Sequence, residues 1–247
     1  NFCPCPGGTV GDVLVGHPRT RYIAFTGSKE VGLRINALAA QTAPGQIWIK
    51  RVVAEMGGKD SIVVDSETDL DSAVEGVTLA AFGYQGQKCS ACSRAIVDEK
   101  VYDAFLEKLK ARVEKIKVGA ATDPENFMGP VINASSKKSI LGYIEKGLKE
   151  GGRLLTGGGE ASGPGQYLQP TVIADVAPKA TISQEEIFGP VLAVIKAKNF
   201  DDAMEIANNT EFGLTGAVYT KNRQKLERAA EEFFTGNLYL NRKCTRA

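Results

Sequence analysis

The stretch GYQGQKCSACSR, residues 83–94, decides how the chain is interpreted. Cys89 and Cys92 lie three residues apart, after a predicted helix and just before residues 95–97, which predict a β-strand. Such a pair fits three chemistries: a redox couple, half of a metal site, or a nucleophile beside a structural cysteine. The sequence on either side of the pair has to narrow the choice.

Apolar runs rich in β-branched and aromatic residues alternate with segments of helical periodicity along the chain. Strands are predicted at residues 22–25, 47–53, 61–64, 95–97, 154–155, 171–174, 191–195, 216–219 and 237–240. Helices are predicted from residue 29 to about 43, from a cap at Asp69 to about 84, and at residues 101–116, 135–149, 201–208 and 223–233. The alternation predicts the α/β fold class with βαβ units and a mostly parallel sheet. The Gly-rich residues 157–165 predict a loop.

The composition narrows the possible partners. Thirty Lys and Arg residues against 29 Asp and Glu residues give a net charge of +1, which argues against nucleic-acid binding. No apolar stretch approaches the roughly 20 residues that span a bilayer, so no membrane partner is expected. Five irregularly spaced cysteines favour free thiols over a disulfide framework. The chain starts at Asn1 without Met and stops in loop-like sequence, so we expect a piece of a longer protein.

Neither alternative for the cysteine pair fits well. A redox pair is expected at the start of a helix, whereas this pair follows a predicted helix and leads into a strand. A zinc site could recruit Cys3 and Cys5, but Cys-x-Cys is not the usual ligand spacing, and the single histidine, His17, is remote in sequence. Cys92 equally fits a small buried hydrophobic residue. The residues alone leave these chemistries open.

Three further motifs are weak when taken singly. In FTGSKEVG, residues 25–32, a strand runs through Gly and Ser into a helix, which suits either a phosphate or a plain helix cap. Its spacing is not that of the G-x-G-x-x-G fingerprint. In EMGGKD, residues 55–60, Glu55 ends an apolar strand and is either a site residue or a solvated carboxylate. The stretch QEEIFGPV, residues 184–191, resembles an ordinary turn from helix to strand.

The order of the motifs is more informative. FTGSxxxG, EMGGK, GQxC and EEIFGPV occur in the order typical of the aldehyde dehydrogenase superfamily, which the chain resembles over its whole length. GQKCSACSR, NNTEFGLTGAVYT and GNLYLNR are similar, more narrowly, to the Δ1-pyrroline-5-carboxylate dehydrogenases. The resemblance implies an aldehyde dehydrogenase-like α/β fold. Its parts would be the C-terminal part of a Rossmann-type NAD-binding domain at 1–56, a catalytic domain at 57–241 and the start of a substrate-anchoring loop at 242–247.

The resemblance also implies roles for single residues. Cys89 becomes the nucleophile, Glu55 the general base, and Cys92 a packing residue. No metal is implied. The remaining roles are contacts to the NAD pyrophosphate by Gly27, Ser28 and Gly32, contacts to the nicotinamide ribose and ring by Glu186 and Phe188, and binding of the substrate carboxylate by Ser90, Arg246 and Ala247.

The implied reaction is NAD-dependent oxidation of L-glutamate γ-semialdehyde to L-glutamate, a step of proline catabolism, through a thiohemiacetal and a thioester on Cys89. The resemblance further implies a homo-oligomer, in the bacterial cytoplasm or the mitochondrial matrix of a eukaryote. Cys5, Lys243 and Arg246 stand where the family usually has glycine, and the family's P-W-N-F-like motif with its oxyanion-hole asparagine is not in this sequence. An alternative is therefore a folded, non-catalytic fragment that binds a nucleotide or a partner.

Overall fold

The structure is a computed structural model that describes residues 1–245. The chain divides into two compact units: unit 1, Asn1–Gly57, and unit 2, which begins at Gly58. Unit 1 contains α1 (Gly7–Gly16), β1 (Tyr22–Thr26), α2 (Lys29–Ala39) and β2 (Arg51–Glu55). The two strands are parallel and pair in register from Tyr22–Arg51 to Thr26–Glu55.

The prediction for unit 1 is wrong at three places. Helix α2 ends at Ala39, before the predicted end near residue 43, and a separate turn follows at Gly45, whose φ of +79° suits glycine. Strand β2 begins at Arg51 and not at residue 47. Trp48, before the strand, makes a side-chain hydrogen bond in place of strand pairing: its indole Nε1 donates to the carbonyl oxygen of Thr20 at 3.1 Å. Helix α1 was not predicted, because its sequence GGTVGDVLVG is rich in glycine.

Unit 2 is built on a seven-stranded sheet with the strand order β5-β6-β7-β4-β3-β8-β9. All neighbouring strands are parallel except β5 and β6, which are antiparallel. The predicted α/β class and the mostly parallel sheet are confirmed. The elements are β3 (Asp60–Val64), α3 (Leu70–Phe82), β4 (Cys92–Asp98), α4 (Tyr102–Val113), α5 (Ala134–Lys149), β5 (Arg153–Thr156), β6 (Thr171–Ala174), α6 (Thr181–Gln184), β7 (Val191–Ala197), α7 (Phe200–Asn208), β8 (Thr215–Tyr219), α8 (Arg223–Glu232) and β9 (Asn237–Leu240).

Strand β3 is an interior strand of the sheet of unit 2, between β4 and β8. Every one of its residues is buried, as expected for a parallel strand covered by helices on both faces. Ile62 and Val64 pack in a cluster with residues of α3 and α4, whereas Val63 packs on the opposite face with residues of α5 and α7. The short helix α6 is an unpredicted element of this second face, where Ile182 is fully buried.

Polar side chains cap the helices of unit 2. Asp69 accepts hydrogen bonds from two N–H groups at the start of α3, which confirms the predicted cap. Asn133, Asn199 and Asn222 cap α5, α7 and α8 in the same way. Helix α3 ends at Phe82 and a 3₁₀ turn (Gly83–Gly86) follows, so the predicted end near residue 84 is wrong. In residues 1–245, no helix combines the length and the apolar character that a membrane crossing requires.

The packing of α3 against β8 gives a first prediction. A Cβ added at Gly76 would overlap the hydroxyl of Tyr219, whereas one added at Gly142, inside α5, meets open space. We expect Gly76→Ala to lower the free energy of unfolding by about 1–3 kcal/mol, because the buried ring of Tyr219 must move. The matched control Gly142→Ala should raise it by about 0.5–1 kcal/mol. Urea unfolding followed by circular dichroism measures both, and equal stabilisation by the two variants would contradict the packing.

Candidate active site

In unit 1, the predicted site residues lie at the carboxyl ends of the two strands. β1 and β2 end side by side at Thr26 and Glu55, and the Gly27 N–H donates to the carbonyl oxygen of Glu55 at 3.0 Å. The Ser28 side chain caps α2 by accepting from the Val31 N–H at 3.3 Å. The Glu55 side chain belongs to an exposed residue. Unit 1 thus presents a capped helix start next to a carboxylate.

Glycine is needed at Gly32 for packing within unit 1. Gly32 is buried in α2, and a Cβ added there would lie 2.7 Å from the sulfur of Met56. This contact joins the helix to the residue that follows Glu55. The structure therefore brings Gly27, Ser28, Gly32 and Glu55 to one end of unit 1, and their contacts to a cofactor remain a prediction.

In unit 2, the predicted residues lie at the amino ends of parallel strands. Cys89 and Ser90 precede β4, and Glu186 and Phe188 precede β7. Gly58, which no motif assignment had singled out, precedes β3 and joins the two groups. Its N–H donates to Glu186 Oε1 at 3.2 Å, and a Cβ at this position would overlap the carbonyl oxygen of Cys89.

The Cys89 thiol is half-buried, and its surroundings have opposing effects on its charge. Burial raises the pKa of the Cys89 thiol, and the negative charges of Asp60 and Glu186 raise it further. The backbone N–H groups of Cys89 and Ser90 lower this pKa. Two N–H groups that stabilise a negative sulfur are what an attacking thiolate requires.

Ser90 is connected to the C-terminal segment of the chain. Its hydroxyl lies 3.0 Å from the hydroxyl of Thr245, and its carbonyl oxygen accepts from the Cys244 thiol at 3.7 Å. Sequence reasoning missed Thr245, although it lies in the NRKCTRA motif, beside Cys244. Arg246 and Ala247 lie outside the described residues, so their part in substrate binding stays a prediction.

Glu186 and Phe188 differ in their surroundings. Burial raises the pKa of the half-buried Glu186 carboxyl, while the Gly58 N–H and the Lys59 cation lower it. Phe188 is 47% exposed and has a φ of +56°, a strained conformation for a residue with a side chain. Its ring lines a groove of about 650 Å³. A carboxylate next to an exposed ring suits a polar ligand that carries a planar group.

A second close backbone contact holds the Cys89 turn. Gly86 has a φ of +66°, and a Cβ added there would overlap the carbonyl oxygen of Gly189. The turn that leads to Cys89 therefore lies directly against the turn that follows Phe188. Both glycines belong to motifs visible in the sequence, GQKC and FGP, but their mutual contact was not predictable from either motif.

The other chemistries considered for the cysteine pair find no support in the described part of the chain. All five cysteines are free, and Cys92 is the buried first residue of β4, so the pair does not open a helix. Among residues 1–245, no three His, Cys, Asp or Glu side chains come together as metal ligands.

Residues 1–247 match a family model described as the aldehyde dehydrogenase family. The chain therefore belongs to the aldehyde dehydrogenase family, which confirms the family and the fold that the motifs predicted. Two similar curated proteins are the 1-pyrroline-5-carboxylate dehydrogenases of Geobacillus sp. (strain WCH70), 59% identical, and Bacillus subtilis (strain 168), 53% identical. Each match covers the whole chain and 48% of the relative, so the chain spans about half the length of these proteins.

Solved structures of aldehyde dehydrogenases are also similar to this chain. A Thermus 1-pyrroline-5-carboxylate dehydrogenase with bound NAD is 51% identical with a TM-score of 0.96, over the whole of this chain and 48% of that one. A betaine aldehyde dehydrogenase of Staphylococcus aureus in complex with NAD⁺ is 32% identical with a TM-score of 0.91, over 97% of this chain and 48% of that one.

Burial predicts the order in which the thiols react. Cys3 and Cys5 are exposed, Cys89 is half-buried, and Cys92 and Cys244 are buried. With iodoacetamide at neutral pH, we expect Cys3 and Cys5 to be modified first and Cys89 more slowly, because burial hinders its ionisation. Cys92 and Cys244 should react only after the chain is unfolded in denaturant. Peptide mass spectrometry resolves the sites, and modification of Cys244 as fast as Cys89 in the folded chain would contradict the packing.

Proposed function

We propose that this chain is part of an NAD-dependent aldehyde dehydrogenase that oxidises L-glutamate γ-semialdehyde to L-glutamate. The observation that carries the proposal is the half-buried Cys89, whose carbonyl oxygen lies against Gly58, the residue whose N–H donates to Glu186. The backbone N–H groups of Cys89 and Ser90 lower the pKa of the Cys89 thiol, which burial raises. The substrate is supported by relatives named 1-pyrroline-5-carboxylate dehydrogenase at 53–59% identity. Bacterial relatives support a cytoplasmic location, and the family resemblance supports a homo-oligomer.

The reaction assigns successive tasks to residues of this chain. The Cys89 thiolate attacks the aldehyde carbon, and the negative oxygen of the resulting thiohemiacetal needs nearby hydrogen-bond donors. When bound, NAD supplies the acceptor for the hydride that leaves this carbon. A thioester on Cys89 remains, and Glu55, as general base, takes a proton from the water that hydrolyses it. The acid is released and the thiol is restored.

Both units contain features that fit NAD. In unit 1, α2 begins directly after Gly27 and Ser28, and the positive end of its helix dipole suits a pyrophosphate. In unit 2, the Glu186 carboxylate accepts hydrogen bonds as ribose hydroxyls would require, and the exposed Phe188 ring suits a flat nicotinamide. Gly32 lets α2 pack closely on Met56, which supports the helix start.

The substrate proposal assigns carboxylate binding to the end of the chain. L-glutamate γ-semialdehyde carries a carboxylate as well as the aldehyde. The Ser90 hydroxyl is one residue from the nucleophile and is hydrogen-bonded to Thr245. Arg246 and Ala247 follow Thr245 directly, and a guanidinium group suits a carboxylate.

A second candidate function follows from the length of the chain relative to the curated proteins that it matches. The chain covers 48% of its relatives, so parts that those enzymes use can be absent from it. In that case the chain is a folded, non-catalytic module that binds the nucleotide or a partner protein.

NADH formation by the 247-residue chain distinguishes the two candidates. We expect turnover with glutamate semialdehyde and much slower turnover with a simple aliphatic aldehyde. Cys89→Ala should abolish it because the nucleophile is lost, whereas Cys92→Ala, the matched control, should retain it. NAD binding by calorimetry without turnover would favour the second candidate. Normal turnover by Cys89→Ala would contradict the assignment of the nucleophile.

The role of Glu55 predicts a particular kinetic pattern. In the active enzyme, we expect Glu55→Gln to lower steady-state turnover by about 10²–10⁴-fold, because the hydrolytic water loses its base. One equivalent of NADH per Cys89 should still form in an initial burst, because thioester formation precedes that step. Rapid-mixing absorbance measures the burst. Glu231→Gln, an exposed position in α8, is the control, and an unchanged steady state in Glu55→Gln would contradict the role.

A further inference from the structure

Three charged side chains lie in the core of unit 2 without a task in the proposed reaction. Lys59 and Asp60 complete the EMGGKD motif, and Arg94 lies in β4; each is at most 2% exposed. The guanidinium of Arg94 donates to three backbone carbonyl groups at 3.0–3.2 Å, one of them that of Lys59. Burying charges costs free energy. The position of these three side chains next to the Cys89 turn therefore suggests a role in the site.

The carboxyl group of Asp60 is fixed on one side and without a partner on the other. Oδ1 accepts from the backbone N–H of Thr215 at 2.7 Å and from its hydroxyl at 2.9 Å. Oδ2 is buried and has no hydrogen-bond partner within residues 1–245. A Cβ added at Gly58 would overlap both this Oδ2 and the carbonyl oxygen of Cys89. The two oxygens therefore lie close together, on the same side of Gly58.

The charges in this region affect one another. Burial raises the pKa of the Asp60 carboxyl to about 7, although the two Thr215 hydrogen bonds and the Arg94 cation lower it. After burial, the Asp60 charge is the largest cause that raises the pKa of the Cys89 thiol. The other ionisable groups that act on Asp60, Cys89 or their neighbours are Lys59, Glu186, Cys92 and Cys244.

We propose that Asp60 is a positioning residue of this site: its carboxyl group, fixed by Thr215 beside the Cys89 carbonyl, controls the ionisation of the Cys89 thiol. A protonated Oδ2 is a hydrogen-bond donor on the side where the Cys89 carbonyl is an acceptor, and it places no charge near the thiol. An ionised Oδ2 places two acceptors together and opposes the thiolate. Ionisation of Asp60 and of Cys89 therefore disfavour each other.

The proposal rests on the proposed function in taking Cys89 as the nucleophile. Its test, however, needs neither aldehyde nor NAD, since the alkylation rate of a thiol reports its thiolate fraction. A failure of the dehydrogenase assay would leave the test intact, and a failure of this test would leave the assay result intact.

The experiment measures the iodoacetamide rate at Cys89 against pH in the wild-type chain and in Asp60→Asn, by peptide mass spectrometry. Asparagine keeps the size of the side chain and an acceptor for Thr215. Well below pH 7 we expect equal rates, because the wild-type carboxyl is neutral there. Above pH 7 we expect Asp60→Asn to react roughly threefold to tenfold faster, because the opposing charge is gone.

Two controls separate this effect from neighbouring groups. Asp65 follows the other end of β3 and accepts from the Thr220 hydroxyl at 2.6 Å, so it repeats the Asp60 geometry away from Cys89. The Cys89 alkylation rate of Asp65→Asn should equal the wild-type rate at every pH. Burial also lowers the pKa of Lys59 to about 7, so titration of this amine could also change the Cys89 alkylation rate near pH 7. In Lys59→Met we expect the alkylation rate to depend on pH near pH 7 as it does in the wild type.

Local loosening would produce a different result. It would speed alkylation of Cys89 at all pH values and expose the buried Cys92 and Cys244 thiols, and that outcome would overturn the proposal. If Asp60→Asn does not fold, Thr215→Val retains the carboxylate and removes one hydrogen bond that lowers its pKa. In Thr215→Val, the pH at which ionisation of Asp60 slows the alkylation of Cys89 should then be higher than in the wild type. Identical profiles for the wild type and Thr215→Val would also overturn the proposal.

Discussion

The candidate site of unit 2 depends on the close backbone approach at Gly58. Because this residue has no side chain, its N–H reaches Glu186 and its Cα lies against the Cys89 carbonyl. Gly86 permits the same closeness at the carbonyl of Gly189. Backbone contacts between turns therefore fix Cys89 relative to Glu186, and a Cβ at either glycine would force the turns apart.

The pairing of β3 with β8 places two similar carboxylates in two different electrostatic settings. At one end, Asp65 is bonded to Thr220 and forms an ion pair with Lys225 at 2.7 Å. At the other end, Asp60 is bonded to Thr215, but its second oxygen has no hydrogen-bond partner in the described chain. The Asp65 carboxylate is thus paired with a cation. The incompletely paired one lies beside Cys89, consistent with the clustering of perturbed ionisable groups at functional sites.

Sequence patterns predicted the elements whose local signal is strong. The apolar runs of β3 and β7 were located correctly, whereas β4 begins at Cys92, before its predicted start at residue 95, and the Gly-rich α1 was missed. The 3₁₀ turn before Cys89 was missed because Tyr84 and Gln85 have positive φ, which non-glycine residues rarely signal. The motifs identified Cys89, Glu55 and Glu186 as candidates. They could not give the contacts of Asp60 with Thr215 or of Ser90 with Thr245, since each joins residues 155 positions apart.

The two units differ in where their candidate residues lie, and the difference has a chemical reason. In unit 1 they follow the carboxyl ends of β1 and β2, where a helix starts and the positive end of its dipole suits a phosphate. In unit 2 they precede the amino ends of β3, β4 and β7, where the chain arrives in turns. A turn, unlike a strand, leaves successive N–H groups free to face one atom. In this turn the backbone N–H groups of Cys89 and Ser90 lower the pKa of the Cys89 thiol. Cys89 thus lies in the kind of backbone that can stabilise a negative charge on its sulfur.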